Sequence, residues 1–268
     1  MANEFVARNG VIALNNSQVT GSLSVSCDIN GATRLKIGSG HTLSGTLATI
    51  AGGSTNTASG NCSTVGGGSN NTASGYSSSV LGGDTNRSTV CYGTVGGGYN
   101  NLTSGRFGFI GGGYTNIASG IISTVGGGIT NTASGCYSTV GGGYANTASG
   151  DKSAVAGGQS NTASGACSFV GGGCANTNSS AYGVISGGEL NKVCSAASWG
   201  AVAGGVSNTV SATRAFIGGG ANNTASGARS TVGGGDTNTA SNTYATIGGG
   251  CKVKIFSVYS FRFLKAFF

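Results

Sequence analysis

The chain has 268 residues, of which 55 are glycine and none is proline, and only 7% are charged. A typical globular domain has about 25% charged residues and about 7% glycine, so the composition excludes an ordinary globular domain. The 13 Lys and Arg residues outnumber the 6 Asp and Glu residues, but they are scattered and form no clustered patch of the kind expected in a nucleic-acid-binding protein.

Residues 1–45 are predicted to form an amino-terminal β segment for attachment or capping. No basic region followed by an apolar run is present, so a secretory signal peptide is not expected. Short strands are predicted here, with turns at pairs such as Asn9-Gly10 and Asn30-Gly31.

Residues 46–250 consist of repeats of one 15-residue unit. A Val or Ile precedes each glycine cluster, and successive copies lie 15 residues apart except for an interval of 17 between Ile185 and Val202. The unit is too short for a helical hairpin and shows no apolar period of 3.6 residues. The repeated apolar residues are predicted to form the core, among them Val65, Val95, Val125, Val140, Val170 and Val232.

Alternation within the repeat predicts two short strands per copy. In "STVGGG" the Val and the small residue two positions earlier share one face, and in "NTASG" the Ala lies opposite its neighbouring Thr and Ser. Each copy then makes one coil of an all-β parallel β-solenoid. About 13–14 coils would stack into a rod on the order of 60 Å long.

An asparagine follows six positions after the Val or Ile in almost every copy. Asn tolerates left-handed backbone angles, and stacked Asn side chains can hydrogen-bond from coil to coil, which predicts a turn ladder. The paired glycines are predicted to serve the corner, through positive φ or close backbone approach. The ladder residues are Asn56, Asn71, Asn86, Asn101, Asn116, Asn131, Asn146 and Asn161.

The predicted core is thin. Each coil buries about one Val or Ile, worth roughly 1.5–3 kcal/mol, against a backbone entropy cost of roughly 1–2 kcal/mol per ordered residue. Because a thin core gains from being shared between copies, we expect a homo-oligomer, with a homotrimer as the leading arrangement.

The sequence contains no pattern typical of a catalytic or metal site. No Lys follows a glycine cluster at the spacing of a phosphate-binding loop, and His41 is the only histidine, so no general base is expected beside a nucleophile. The 8 cysteines are spread over several phases of the repeat, and Cys91 and Cys136, which share one, lie three coils apart, so free thiols are expected. We therefore expect a non-enzymatic protein with no cofactor and no metal.

Two corners of the repeat vary from copy to copy and carry most of the aromatic residues. Variable corner positions line one edge of a solenoid, where ligands are often bound, and aromatic rows suit stacking on sugars. Alternatively, these rings pack against a neighbouring coil or chain. The candidate surface-binding residues are Tyr99, Tyr114 and Tyr144 at one corner and Tyr92, Tyr137 and Trp199 at the other.

Residues 251–268 break the repeat with a basic, aromatic sequence. We expect them to form a carboxyl-terminal cap or a truncated tail.

The reiterated "VGGGxxNTASGxxST" resembles the head repeats of YadA-like trimeric adhesins over about residues 46–250. The resemblance implies a left-handed parallel β-roll with three chains to a head. The glycine triplet and the 15-residue unit depart from the adhesin pattern, and no secretory signal, heptad stalk or membrane anchor is apparent. The amino-terminal segment looks like the starts of tail-fibre proteins of marine bacteriophages, including cyanophages, which often carry such repeats.

Together these resemblances imply a tail fibre or other virion-surface protein that attaches to a polysaccharide or protein receptor on the host cell, without nucleic acid and without membrane insertion. One alternative is the head of a bacterial adhesin at the cell surface or outside the cell. Another is an ice-binding solenoid, because Thr and Ser flank the inward Ala in most copies and would form an outward hydroxyl array, although Ile117 and Lys192 interrupt it.

Overall fold

The computed structural model describes residues 35–36, 39–256 and 261–262, all within one compact unit, Thr33–Phe268. These residues form an all-β parallel solenoid of about 14 coils with a repeat of about 15 residues, and the described part contains no helix. The solenoid predicted from the repeat is therefore confirmed. The turns predicted near the amino terminus lie outside the described residues, as does most of the predicted carboxyl-terminal cap.

Two parallel sheets run along the rod, built from two-residue strands that we number β1 to β31 in chain order. Sheet 1 has 16 strands: β1 Leu35–Lys36, β3 Thr49–Ile50, β5 Thr64–Val65, β7 Ser79–Val80, β9 Thr94–Val95, β11 Phe109–Ile110, β13 Thr124–Val125, β15 Thr139–Val140, β17 Ala154–Val155, β19 Phe169–Val170, β21 Val184–Ile185, β23 Ala201–Val202, β25 Phe216–Ile217, β27 Thr231–Val232, β29 Thr246–Ile247 and β31 Phe261–Arg262.

Sheet 2 has 15 strands, one between each successive pair of sheet 1 strands: β2 Thr42–Leu43, β4 Thr57–Ala58, β6 Thr72–Ala73, β8 Arg87–Ser88, β10 Leu102–Thr103, β12 Ile117–Ala118, β14 Thr132–Ala133, β16 Thr147–Ala148, β18 Thr162–Ala163, β20 Thr177–Asn178, β22 Lys192–Val193, β24 Thr209–Val210, β26 Thr224–Ala225, β28 Thr239–Ala240 and β30 Lys254–Ile255.

The register follows the repeat, so that each residue pairs with its equivalent in the next coil. Val125 pairs with Val140 in sheet 1, and Ala133 pairs with Ala148 in sheet 2. Strands β1 and β2 pair with β3 and β4, and β30 pairs with β28. Strand pairing therefore extends beyond the predicted range, residues 46–250, at both ends.

The core is a double column of small apolar side chains between the two sheets. Val140 and Ala148 are completely buried, as are the six Val residues predicted for the core. The outward residues beside them, Thr139 and Thr147, are exposed or half-buried. The alternation of faces thus follows the sequence pattern residue by residue.

The structure adds a third contact between coils, which the alternation did not predict. The residue after each glycine pair, and Ser39 in the first described coil, forms an isolated parallel bridge to its equivalent in the next coil. We call these residues the bridge column: Ser39, Ser54, Ser69, Asp84, Tyr99, Tyr114, Ile129, Tyr144, Gln159, Cys174, Glu189, Val206, Ala221, Asp236 and Cys251.

The 17-residue interval is accommodated at the turn that leads from sheet 2 to sheet 1. In a regular coil the Ser153 N–H donates to the Gly150 carbonyl at 3.1 Å, and in the longer coil the Gly200 N–H donates to the Ala197 carbonyl at 2.6 Å. The two extra residues therefore lie just before Ala197. Ile185 still pairs with Val202 across the insertion, so the register is kept.

Seven buried serines form an unusual feature of the core. Each lies two residues before a core Val, and its hydroxyl has no hydrogen-bond partner among the described residues. The equivalent residue is alanine in three other coils, at Ala48, Ala215 and Ala245. The serines are Ser63, Ser78, Ser123, Ser138, Ser153, Ser168 and Ser230.

Candidate ligand-binding surface

The asparagine column forms a continuous hydrogen-bonded ladder inside the rod. The Asn131 N–H donates to Asn116 Oδ1 at 2.9 Å, and Asn131 Oδ1 accepts from the Asn146 N–H at 2.9 Å. Asn131 Nδ2 also donates to the carbonyl oxygens of Gly127 and Gly143, both at 2.9 Å. Because the buried amide has its donors and its acceptor occupied, this column serves stability and is not available to a ligand.

The left-handed backbone angle proposed for the asparagines belongs to another residue. Thr130, immediately before Asn131, has a φ of 54°, and its equivalents in the other coils are also positive. The turn is completed one residue earlier because the Asn side chain must point inward to bond the adjacent coils. That part of the prediction is wrong. The physical reason for the difference is that the Asn amide points into the rod.

The ladder has different residues at its two ends. The Asn56 N–H donates to His41 Nδ1 at 3.0 Å, so the single histidine occupies the Asn position of the first coil. At the other end of the described ladder the Val253 N–H donates to Asn238 Oδ1 at 2.9 Å, and Val253 occupies the Asn position of that coil. His41 is therefore a structural residue with only 6% of its surface exposed.

The two glycines of each pair differ in their surroundings. The second, such as Gly143, has φ between 82° and 116°, and in the coils from Gly53 to Gly235 an added Cβ would lie 1.9–2.3 Å from a carbonyl oxygen of the next coil. The first, such as Gly142, faces open space, and an added Cβ would meet nothing closer than 3.9 Å. The predicted corner role therefore applies fully to the second glycine.

A second left-handed position lies at the turn before sheet 1, and sequence reasoning missed it. Its residues, which we call the turn column, have φ between 48° and 61° although none is glycine. The residue types gave no signal, since Tyr, Arg and even β-branched Ile share the position. The column comprises Leu47, Cys62, Ser77, Tyr92, Phe107, Ile122, Tyr137, Lys152, Cys167, Tyr182, Trp199, Arg214, Arg229 and Tyr244.

Aromatic rings of the turn column stack along the rod. The rings of Tyr92 and Phe107 are nearly parallel with centroids 4.9 Å apart, and those of Tyr182 and Trp199 are 5.2 Å apart. Tyr76, which lies one residue before the turn column, meets Tyr92 edge-on at 5.6 Å. These five rings remain 42–52% exposed. Rings in the turn column therefore pack on adjacent coils and still present a surface to solvent.

The bridge column carries the second aromatic row. The rings of Tyr99 and Tyr114 stack with centroids 5.2 Å apart, and Ile129 and Tyr144 continue the row in the next two coils. All four residues are 44–50% exposed. The six predicted surface-binding residues are thus exposed, in two separate columns, and the predicted packing against a neighbouring coil is found for Tyr92, Tyr99, Tyr114 and Trp199.

Three arginines accompany the turn-column rings and were not predicted. Arg106 lies over Phe107 at 5.0 Å, and Arg214 lies over Trp199 at 5.2 Å. Arg229 lies over the ring of Tyr244 and donates a hydrogen bond to its hydroxyl. The 15-residue spacing from Trp199 to Arg214 was a visible signal, because residues one repeat apart lie in the same column.

The surface thus offers exposed aromatic faces with neighbouring guanidinium donors. The described residues contain no group of three or more His, Cys, Asp or Glu side chains able to hold a metal ion, and the seven cysteines they include are free. Within the described residues, no helix has the length and the apolar character that a membrane span requires. No protein-family model matches the chain, and no curated protein shows significant similarity to it.

Proposed function

We propose that the chain is a non-enzymatic fibrous protein, a tail fibre or other rod on a virion surface, that attaches to polysaccharide on the host cell. The proposal includes a left-handed coil and a homotrimer, as the resemblance to adhesin head repeats implies. The observation that carries the proposal is the pair of exposed aromatic columns on a regular rod.

Stacked rings suit the apolar faces of sugars. An exposed aromatic face contributes apolar area with little loss of conformational freedom, and a ring already stacked on its neighbour in the next coil is held in place. The arginines beside Phe107, Trp199 and Tyr244 add hydrogen-bond donors for sugar hydroxyls or carboxylates. A polymeric glycan therefore matches both the chemistry and the repetition of the columns.

The rod form favours weak, repeated contacts. Columns of equivalent residues recur at the spacing of parallel strands, about 4.8 Å. When one contact has formed, the next is intramolecular and benefits from a high effective concentration. Several weak ring contacts along one rod can then hold a cell-surface polymer.

The test replaces Tyr99, Tyr114 and Tyr144 together by alanine. Three ring contacts of roughly 0.5–1 kcal/mol each predict a loss of about tenfold or more in adsorption to host cells. The matched control replaces Thr132, Thr147 and Thr162 on sheet 2 by alanine and should bind normally.

Light scattering on the same tyrosine variant separates binding from assembly. The proposal requires an unchanged oligomer mass together with reduced adsorption. Dissociation of the oligomer would show that these rings pack between chains, which contradicts a role in receptor binding.

A bacterial adhesin head would use the same surface on a bacterial cell instead of a virion. An ice-binding rod is a second candidate, which one observation favours. Thr132, Thr147, Thr162 and Thr177 lie in register on four successive strands of sheet 2. The column is broken elsewhere by Arg87, Leu102, Ile117 and Lys192, so we rank it lower. Measurable thermal hysteresis would reverse this ranking.

A further inference from the structure

The carbonyl of the first glycine of each pair accepts a hydrogen bond from an Asn side chain, but nothing within a single chain requires this residue to lack a side chain. It is glycine in every copy from Gly52 to Gly249, although the residue before it varies. We call these residues the first-glycine column: Gly52, Gly67, Gly82, Gly97, Gly112, Gly127, Gly142, Gly157, Gly172, Gly187, Gly204, Gly219, Gly234 and Gly249.

Neither steric crowding nor backbone angle explains this column. An added Cβ would meet no atom of the chain closer than 3.9 Å, and only Gly97 and Gly172, at φ of 158° and 155°, come near the edge of the left-handed range. Glycine costs about 0.5–1 kcal/mol more than alanine in lost backbone freedom at an ordinary position. An isolated rod would therefore be more stable with alanine in this column.

The sheet face beside the column is free of charge. We define the sheet 1 face as the outward residues of the sheet 1 strands within residues 39–256, the residue after each core Val or Ile, and the first-glycine column. None of these residues is charged. The outward residues of sheet 2, by contrast, include Arg87, Lys192 and Lys254. Depletion of charge is characteristic of the centre of protein interfaces.

Large apolar side chains are exposed on the same face. Leu81 is 59% exposed, and Phe109, Phe169, Val184 and Phe216 are 37–43% exposed. Phe169 and Val184 are neighbours in adjacent coils, and the other three side chains lie apart on a face that is otherwise small and uncharged. In addition, the N–H groups of glycine pairs such as Gly142 and Gly143 donate to no described residue. A partner backbone could therefore approach closely and accept these hydrogen bonds.

We infer that copies of this chain associate side by side through the sheet 1 face, with one copy packed closely against the first-glycine column of another. A partner that uses every glycine must repeat at the coil spacing along the whole rod, and a second copy of the chain does so. The inference rests on the self-association included in the proposed function, and it does not depend on the receptor.

The size of the sheet 1 face is sufficient for a stable interface. Thirteen intervals of about 4.8 Å and a width of three residues at about 3.3 Å give a strip of roughly 600 Å² per copy. Two such strips bury about 1,200 Å² in total, the lower end of the range for specific, stable interfaces. Close approach at the glycines is therefore needed for the contact to hold.

The first test is the full chain with Gly127→Ala, Gly142→Ala and Gly157→Ala. The added methyl groups fit the single rod, so the far-UV circular dichroism spectrum should be unchanged while the mass from light scattering falls toward 25.7 kDa, the mass of one chain. A folded variant that keeps the wild-type oligomer mass would overturn the inference.

A second pair of variants decides the matter if the alanine variant does not fold. Thr124→Lys with Thr139→Lys places charge on the sheet 1 face, and Thr132→Lys with Thr147→Lys places the same charge on sheet 2, where Lys192 already occurs. We expect only the sheet 1 variant to dissociate. Equal masses for the two variants would overturn the inference alone, whereas a monomeric wild-type chain would overturn the proposed self-association as well.

Discussion

Asn100 and Asn101 are adjacent in sequence but have opposite roles in the solenoid. Asn101 is buried, and its Nδ2 donates to the carbonyls of Gly97 and Gly113 at 2.9 Å. Asn100 is exposed with a φ of 53°, and Ala145 and Ala175 occupy the same position in other coils. The two residues therefore form a matched pair for measuring the contribution of the ladder.

We expect Asn101→Ala to lower the free energy of unfolding by about 3 kcal/mol or more, because it leaves several buried backbone groups unpaired. Asn100→Ala should change the free energy of unfolding by about 1 kcal/mol or less, because it alters only the preference of residue 100 for a left-handed backbone angle. Chemical denaturation of both variants provides the comparison. Similar losses for the two variants would contradict the structural role of the ladder.

The buried serines predict a stabilising substitution. The Ser138 hydroxyl has no partner among the described residues, and alanine occurs naturally at the equivalent Ala215 and Ala245. Burial of an unpaired hydroxyl costs about 1–3 kcal/mol, so Ser138→Ala should raise the free energy of unfolding by about 1 kcal/mol. The exposed Ser149→Ala variant is the control and should stay within about 0.5 kcal/mol of wild type. A destabilised Ser138→Ala variant would contradict this expectation.

Single residues also show the limits of sequence reasoning. The inward direction of Val140 and Ala148 follows from strand alternation, and the stacking of Asn residues follows from their exact period. The left-handed angles at Tyr92 or Ile122 were not predictable, because residues at this position have no shared preference and the turn is imposed by the coils on either side. Arg214 and Arg229 contact rings one repeat away, so predicting them required knowing that residues one repeat apart are in contact, whereas Arg106 contacts the adjacent Phe107.

At the scale of the element, the turn from sheet 2 to sheet 1 accommodates extra residues in one coil. The interval between Ile185 and Val202 contains two additional residues, just before Ala197, without loss of register. Between Ile50 and Cys251 the glycine corner keeps one length, and each Asn side chain there bonds the first glycine of its own coil and the second glycine of the next coil. The two corners should therefore respond differently to insertion.

We expect insertion of Ser-Ala between Ser149 and Gly150 to leave the rod folded, with a melting temperature close to that of wild type. The same dipeptide inserted between Gly143 and Tyr144 should lower the melting temperature, because it separates the Gly143 carbonyl from its bonds to Ile129 and Asn131. Circular dichroism during heating measures both. Equal tolerance at the two corners would contradict this account.

Strand number illustrates what could be predicted for the element. Two strands per coil follow from the two alternating segments, and the structure has them where expected. The bridge column was missed because a single residue has no alternation to detect, and its residue types range from Tyr to Asp. Its aromatic members could be identified as variable and exposed, but not as a third line of contact between coils.

For the whole molecule, stability is the sum of contacts between neighbouring coils, as in other solenoids. No coil contacts a distant one through a disulfide in the described part, because the cysteines there are free. The period predicted this one-dimensional arrangement, including the 15-residue register. The partners of the outer faces could not be predicted from the period. Inward residues repeat because each coil must pack on the next, whereas the period does not specify which molecules the outward residues contact.

The ends of the asparagine ladder have a consequence for how rods stack end to end. Each Asn is satisfied only when the next coil supplies a carbonyl and an N–H, but Val253 has no side-chain amide and requires no further coil. Two exposed lysines lie beside Val253 at the edge of sheet 2: Lys254 is on β30, and Lys252 is two residues before it in the chain. Charged lysines at a sheet edge oppose the addition of another chain. Pairing of another chain with β30 is therefore disfavoured, even though every coil inside the rod is a template for the next.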